Sequence, residues 1–176
     1  MKNKLNLNSI ERISAPAPHC AFTDLIASPF DQSSTTVFCC YRQASDHVSQ
    51  DGQIVIVKYS LTTEEKHYQT LQVPDTDLRD PKFSLDGETL YLTTYAKHKC
   101  TKTGKVSTDM LSFYTKTGES WSSPHSFGKP GWWLWNMTFF NQTAYGFAYN
   151  RSQNRIDFYA GHPNKQMDVV TYHALS

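Results

Sequence analysis

Three stretches of the chain repeat one arrangement: a polar residue, a short strand, a turn, and a second strand that ends near a tyrosine. They are FTDLIASPFDQSSTTVFCCYR (22–42), LRDPKFSLDGETLYLTTYA (78–96) and LWNMTFFNQTAYGFAYN (134–150). The polar residues Asp24, Asp80 and Asn136 follow at intervals of 56 residues, and the tyrosines are Tyr41, Tyr95 and Tyr149. A third strand follows in each unit: QIVIVKYS (53–60), DMLSFYTK (109–116) and NRIDFYAG (154–161). A fourth reads from HYQTLQV, WSSPHSF and VVTYHAL. The runs are β-branched and aromatic, and Asp86-Gly87 is a hairpin signal. One four-stranded sheet cannot bury both its faces, whereas stacked twisted sheets bury each other around an axis. The pattern therefore predicts an all-β fold, a partial β-propeller of about three four-stranded blades. The blades span approximately 19–75, 76–130 and 131–176, after an N-terminal lead-in segment, 1–18. A sandwich of irregular strands is the alternative.

Charge and cysteine usage narrow the function. Lys and Arg number 17 against 16 Asp and Glu, a net charge of +1 with no polybasic run, which argues against nucleic acid and anionic membranes as partners. The start, MKNKLNLNSIERISAPAP, has no apolar h-region, so no signal peptide is read and a cytoplasmic location is expected. The four cysteines, Cys20, Cys39, Cys40 and Cys100, show no C-x-x-C spacing. They read as free thiols in a reducing compartment rather than metal ligands or disulfides. No phosphate-binding glycine loop, G-x-S-x-G or H-E-x-x-H occurs, and neither metal nor cofactor is expected.

In a propeller the first strand of each blade lines the central channel. Asp24, Asp80 and Asn136 would then converge on one mouth. Two carboxylates there suit acid–base or nucleophilic work on a glycosidic bond, making Asp24 and Asp80 the candidate catalytic residues. Arg79 and Arg42 offer planar forks for a ligand carboxylate. His47, in SDHVSQDG, is placed to shuttle a proton or bind a hydroxyl. Asn136 completes the polar ring, and Trp132 or Trp133, after Pro130-Gly131, would stack on the apolar face of a sugar. The structural alternatives are turn capping by Asp24 and Asp80, pairing of Arg42 with Asp46 or Asp51, and a solvated His47.

Four stretches carry a family resemblance: HCAFTDL (19–25), VFCCYRQASDHVSQDGQIVIVKYS (37–60), DLRDPKFSLDGETLYL (77–92) and GWWLWNMTFFNQTAYGFAYN (131–150). In this order they resemble bacterial sialidase-like β-propeller proteins with BNR repeats, over most of the chain from His19 onward. The Arg-Asp-Pro feature is also similar to that of five-bladed arabinosidase-type glycosidases. The resemblance implies a glycoside hydrolase acting on terminal sugars, with a glycan or small sugar as ligand. It further implies an arginine triad, to which Arg42 and Arg79 are candidates, and an aspartate acid/base at Asp24 or Asp46. The Tyr/Glu nucleophile pair does not map onto this sequence. The family Asp-box survives only in worn form, as YSLTTEEKHY (59–68) and YTKTGESW (114–121), the latter with Lys116 in place of the Asp. A six-bladed ring is implied and three units are present. A truncated and inactive product, a homodimer that completes the propeller, closure by another chain, or a different blade count are the expected explanations. A non-catalytic module that binds a glycan or a protein is the alternative function.

Overall fold

The computed structural model describes residues 9–100 and 102–175. Twelve strands, and no helix, are found among them. The first sheet contains β1 (His19–Ala27), β2 (Thr36–Ala44), β3 (Gln53–Ser60) and β4 (Lys66–Leu71). The second contains β5 (Thr76–Asp86), β6 (Thr89–Lys99), β7 (Val106–Thr115) and β8 (His125–Phe127). The third contains β9 (Trp133–Phe140), β10 (Thr143–Asn150), β11 (Arg155–Gly161) and β12 (Met167–Leu175). Each sheet is an antiparallel meander in chain order. The first strands of successive sheets are neighbours, β1 beside β5 and β5 beside β9. The arrangement is compatible with consecutive propeller blades. No helix is long and apolar enough to cross a membrane among the described residues.

Burial explains the composition of the strands. In β3, Ile54 and Ile56 face the second sheet, where they join Phe38 and Cys40 against Leu78, Leu90, Leu92 and Phe113. Val55 and Val57 face the other way with Cys39 and Tyr41. That second face is covered by part of the expected lead-in. Ile13 packs on it, the Ala15 N–H donates to the Tyr41 hydroxyl at 3.1 Å, the Tyr68 hydroxyl donates to the Ile13 carbonyl at 3.0 Å, and Glu11 pairs with Lys66. A strand covered on both sides has no polar alternation to show, hence the continuous run Ile-Val-Ile-Val. Tyr91, Met110 and Phe127 of the second sheet meet Leu134, Met137, Ala148 and Tyr159 of the third. Each such large apolar side chain contributes about 1.5–3 kcal/mol on burial. The far face of the third sheet carries Trp135 and Phe147, which remain 57% and 46% exposed.

The structure corrects two readings of the strands. Arg79-Asp80-Pro81 is inside β5, not ahead of it. Asp80 and Pro81 together oppose Thr94 alone, a β-bulge in an edge strand of the sheet, where a proline lacking its N–H is tolerated. WSSPHSF shrinks to the three residues of β8, which begins just after Pro124. The Trp121 indole N–H instead donates to Gln69 of the first sheet at 2.9 Å and its ring stacks on Phe83, so the worn Asp-box turn clamps two sheets together.

Candidate functional site

A bulge recurs at one level of all three first strands. In β1, Phe22 and Thr23 oppose Tyr41, and in β9 Trp135 is the extra residue between Leu134 and Asn136. Phe22 and Asp80 both take positive φ, 58° and 46°, which is unusual for side chains other than glycine and concentrates strain at this level. The register makes Asp24, Lys82 and Asn136 equivalent, while Asp80 corresponds to Phe22. The even spacing of Asp24, Asp80 and Asn136 in the sequence is thus a coincidence of loop lengths.

Asp80 is 9% exposed, and its carboxyl has no hydrogen-bond partner among the described residues. Burial pushes its pKa above the usual carboxylate range, a shift opposed by the charges of Lys82, Arg79, Arg42 and His47. The two arginines are anchored elsewhere. Arg42 is fully buried; its Nε and Nη2 donate to Asp77 Oδ1 at 3.0 and 2.9 Å, and its remaining bonds go to the Asp46 and Ser49 carbonyls. Those bonds make Arg42 a scaffold residue rather than a free fork: the expected neighbour Asp46 holds it through its backbone carbonyl, and the carboxylate partner is Asp77 rather than Asp46 or Asp51. Arg79 Nε donates to Asp77 Oδ2 at 2.6 Å and Nη2 to the Ser49 carbonyl at 3.3 Å, which leaves Nη1 without a protein acceptor among the described residues.

The loop that carries His47 is stiffened from within. Asp51 accepts the Ser45 N–H, and hydrogen bonds from Ser49 and Ser45 hold its pKa down at about 2. His47 is exposed and rests edge-on against His19, with ring centroids 5.4 Å apart, and 5.6 Å from Phe22. His19 Nε2 is buried there without a hydrogen-bond partner among the described residues.

The aromatic wall comes from β6, β9 and β10. Tyr95 stacks on Trp133 at 4.1 Å and 9°, Trp133 stacks on Tyr149 at 5.5 Å, and Trp135 sits 6.2 Å from Tyr149. Burial raises the Tyr149 pKa, and the nearby Asp80 charge raises it further, which ties this wall to the bulge. Trp132 does not belong to it. It is 5% exposed, packed on Tyr159 in the core between the second and third sheets, under the Arg155 guanidinium. The correction follows from alternation: with Trp132 turned inward, Trp133 is turned outward.

Asp24 is also structural. Its Oδ2 accepts the Phe83 N–H at 2.8 Å and so joins β1 to β5. Lys82 Nζ reinforces the join by donating to the Thr23 carbonyl at 3.1 Å. Asn136 is exposed, and its Oδ1 accepts the N–H of Met137 at 2.8 Å. The structure thus gathers Asp80, Arg79, Arg42 and His47, keeps Asp24 in the scaffold beside them, and removes Trp132. The sequence reading passed over Asp77, Trp135, Tyr95 and Tyr149 as site residues. Of the carboxylates at this end, Asp24, Asp46 and Asp77 each accept a protein hydrogen bond, and Asp80 accepts none. One free carboxyl beside flat aromatic faces can exchange hydrogen bonds with a ligand hydroxyl while the rings cover an apolar surface. The four cysteines are free, and no group of three or more metal-binding side chains occurs among the described residues.

Compared with known proteins, the chain matches no family model and no curated protein.

Proposed function

We propose that this chain is a carbohydrate-recognising module built on a sialidase-type β-propeller scaffold, with its sugar site at the bulge of β5 and the wall of β9 and β10. The observation that carries the reading is the buried, unpartnered carboxyl of Asp80 beside the Trp133–Tyr149–Trp135 wall. The C–H face of a pyranose lies against exposed Trp135, a ring hydroxyl fills the empty valence of Asp80, and Arg79 Nη1 offers a second contact. The remaining bonds of Arg42, Asp77 and Asp24 fix this geometry without touching the ligand.

Sialidase-like hydrolysis of a terminal sugar is the second reading. It is favoured by the direction of the Asp80 shift, since burial favours the protonated carboxyl that a general acid for a glycosidic oxygen needs. A nucleophile or base on the other side of the sugar is still required, and Asp24 is committed to Phe83. A second copy of the chain, docked on the exposed aromatic face of the third sheet, would complete the ring on this reading.

The binding test is a glycan array probed with wild type and Trp135→Ala. Trp135 is exposed, so its removal leaves the core intact, and binding is expected to drop at least tenfold. An array on which wild type binds nothing would remove the proposal. Turnover of a fluorogenic sialoside that disappears in Asp80→Asn would move the second reading ahead of the first.

A further inference from the structure

Tyr149 has a second role. Beyond the site it is one wall of a cleft of about 610 Å3 at the end of the third sheet, lined also by Asn150, Arg151, Asn154, Arg155 and His173. The mouth and the cleft therefore share a ring. Among the described residues the lining contains two arginines, a histidine and two asparagines, and no carboxylate.

The floor of the cleft is built to hold one of those arginines still. The Arg155 guanidinium is sandwiched between the rings of Trp132 at 4.8 Å and Tyr172 at 5.4 Å. Its Nη2 lies 2.9 Å from Oδ2 of Asp157, whose side chain is fully buried. The other oxygen of Asp157 accepts the N–H of His173 at 3.0 Å, at a residue of positive φ, 51°. Around this pair three buried polar atoms lack a hydrogen bond among the described residues: Arg155 Nε, Asp157 Oδ2 and the Tyr159 hydroxyl. Burial and the Asp157 charge push the Tyr159 pKa up to about 12, so that hydroxyl remains a donor. Asp157 balances Arg155. Arg151 forms no ion pair among the described residues and gives the lining its excess positive charge.

From this geometry we infer that the cleft is a second subsite, which takes a carboxylate on an acidic sugar of an oligosaccharide that extends from the Asp80 site across Tyr149. The inference rests on the carbohydrate reading and adds the charge of the ligand and the place where that charge is read. Arg151 supplies an exposed cation and Arg155 the fixed one, with Asn150 and Asn154 beside them for hydroxyls. A uronic acid and a sialic acid present the same carboxylate chemistry.

The experiment is titration calorimetry at fixed salt with four probes: an α-1,4-linked galacturonic acid trimer, 3′-sialyllactose, and the methyl ester of each. Each ester keeps the sugar skeleton and deletes the charge. At least one acid is expected to bind wild type about tenfold or more tightly than its ester. In Arg151→Ala that acid should fall to the level of its ester, with ester affinity unchanged. Which acid shows the preference separates a uronate from a sialate. Acid and ester that bind wild type equally would overturn the subsite and leave the carbohydrate reading standing. A preference for the acid that survives in Arg151→Ala and vanishes in Arg79→Ala would place the charge at the mouth and overturn the subsite too. No binding of any probe, together with a blank glycan array, would remove both readings at once.

Discussion

The contact between the first and second sheets and the contact between the second and third are made of different chemistry at the same level. Arg42 and Tyr95 are equivalent by register, since each pairs with the residue just before a bulge. Arg42 reaches forward to Asp77 at the start of β5, as a buried ion pair. Tyr95 reaches forward to Trp133 at the start of β9, as a face-to-face stack. The ion pair is wholly enclosed and engages all three guanidinium nitrogens of Arg42 with protein acceptors. The stack is half-buried and continues through Tyr149 to exposed Trp135. The first contact is therefore all-or-none and belongs to the scaffold. The second is graded, and part of its surface is free for a ligand.

The largest effect should come from halving the ion pair. Asp77→Ala leaves Arg42 charged and enclosed, which costs about 3–5 kcal/mol. In a domain whose whole stability is of order 5–15 kcal/mol, much of the population unfolds, and urea denaturation reads it directly. The double variant Arg42→Met with Asp77→Leu should recover only part of the loss, since the enclosed charge of Arg42 leaves with Asp77 while Arg79 loses its carboxylate partner. Adding Arg79→Met should recover more, and failure of that triple variant to do so would mean that the cluster also specifies how the sheets meet. Gly52→Ala tests the same enclosure from behind. A Cβ there would lie 2.1 Å from Asp77 Oδ1 and 2.8 Å from the Leu78 carbonyl, and a loss of about 3 kcal/mol is expected.

The aromatic contact should respond more gently. Trp133→Ala is expected to cost about 2–3 kcal/mol, at the low end for a tryptophan because the ring is only half-buried. Trp133→Phe should return much of this stability but little of the sugar affinity. If Trp133→Ala costs as much as Asp77→Ala, the two contacts are alike and the division between scaffold and site falls.

The contrast also explains what was legible in the sequence. Strand number, order and sheet membership follow from local patterning, because β-branched runs and Gly turns act over a few residues. QIVIVKYS is β3 residue for residue. The site depends on register, and register is set by bulges that add a residue without marking the pattern. Asp80 looked equivalent to Asp24 and proved to match Phe22. Trp132 and Trp133 are indistinguishable by type, and only the pleat assigns one to the core and the other to the wall. Alternation read from buried Leu134 would have found Trp133 and set Trp132 aside. The neighbour Asp46 was within reach of the sequence, but the carboxylate partner of Arg42 could not be read, since Asp77 is 35 residues away in another sheet.

A smaller loss separates the two candidate catalytic aspartates. Asp24→Ala removes a charge-assisted bond to the Phe83 N–H between the first and second sheets and should cost about 1.5–2 kcal/mol. Sugar binding should change only as far as β5 shifts. A stable Asp24→Ala protein that has lost all ligand affinity would return Asp24 to the site.

Asp80 should behave in the opposite sense. Burial raises its pKa above the unfolded value, so the folded chain keeps the proton over a pH range in which the unfolded chain has released it. Linkage then requires stability to fall as pH rises through that range, from the ordinary carboxyl value of about 3.9 up to the raised one. At pH 7 the wild type bears the net cost of a mostly buried carboxylate, burial less the offset from Lys82, Arg79, Arg42 and His47. Asn accepts a positive φ as readily as Asp and carries no charge. Asp80→Asn is therefore expected to be more stable than wild type at pH 7, by about 0.5–2 kcal/mol, and to lose that advantage at about pH 3.5. Urea denaturation at the two pH values makes the comparison. A gain of equal size at both would trace to hydrogen bonding rather than charge. A loss at pH 7 would mean that Lys82, Arg79 and His47 together outweigh burial, and that Asp80, like Asp77, belongs to the scaffold.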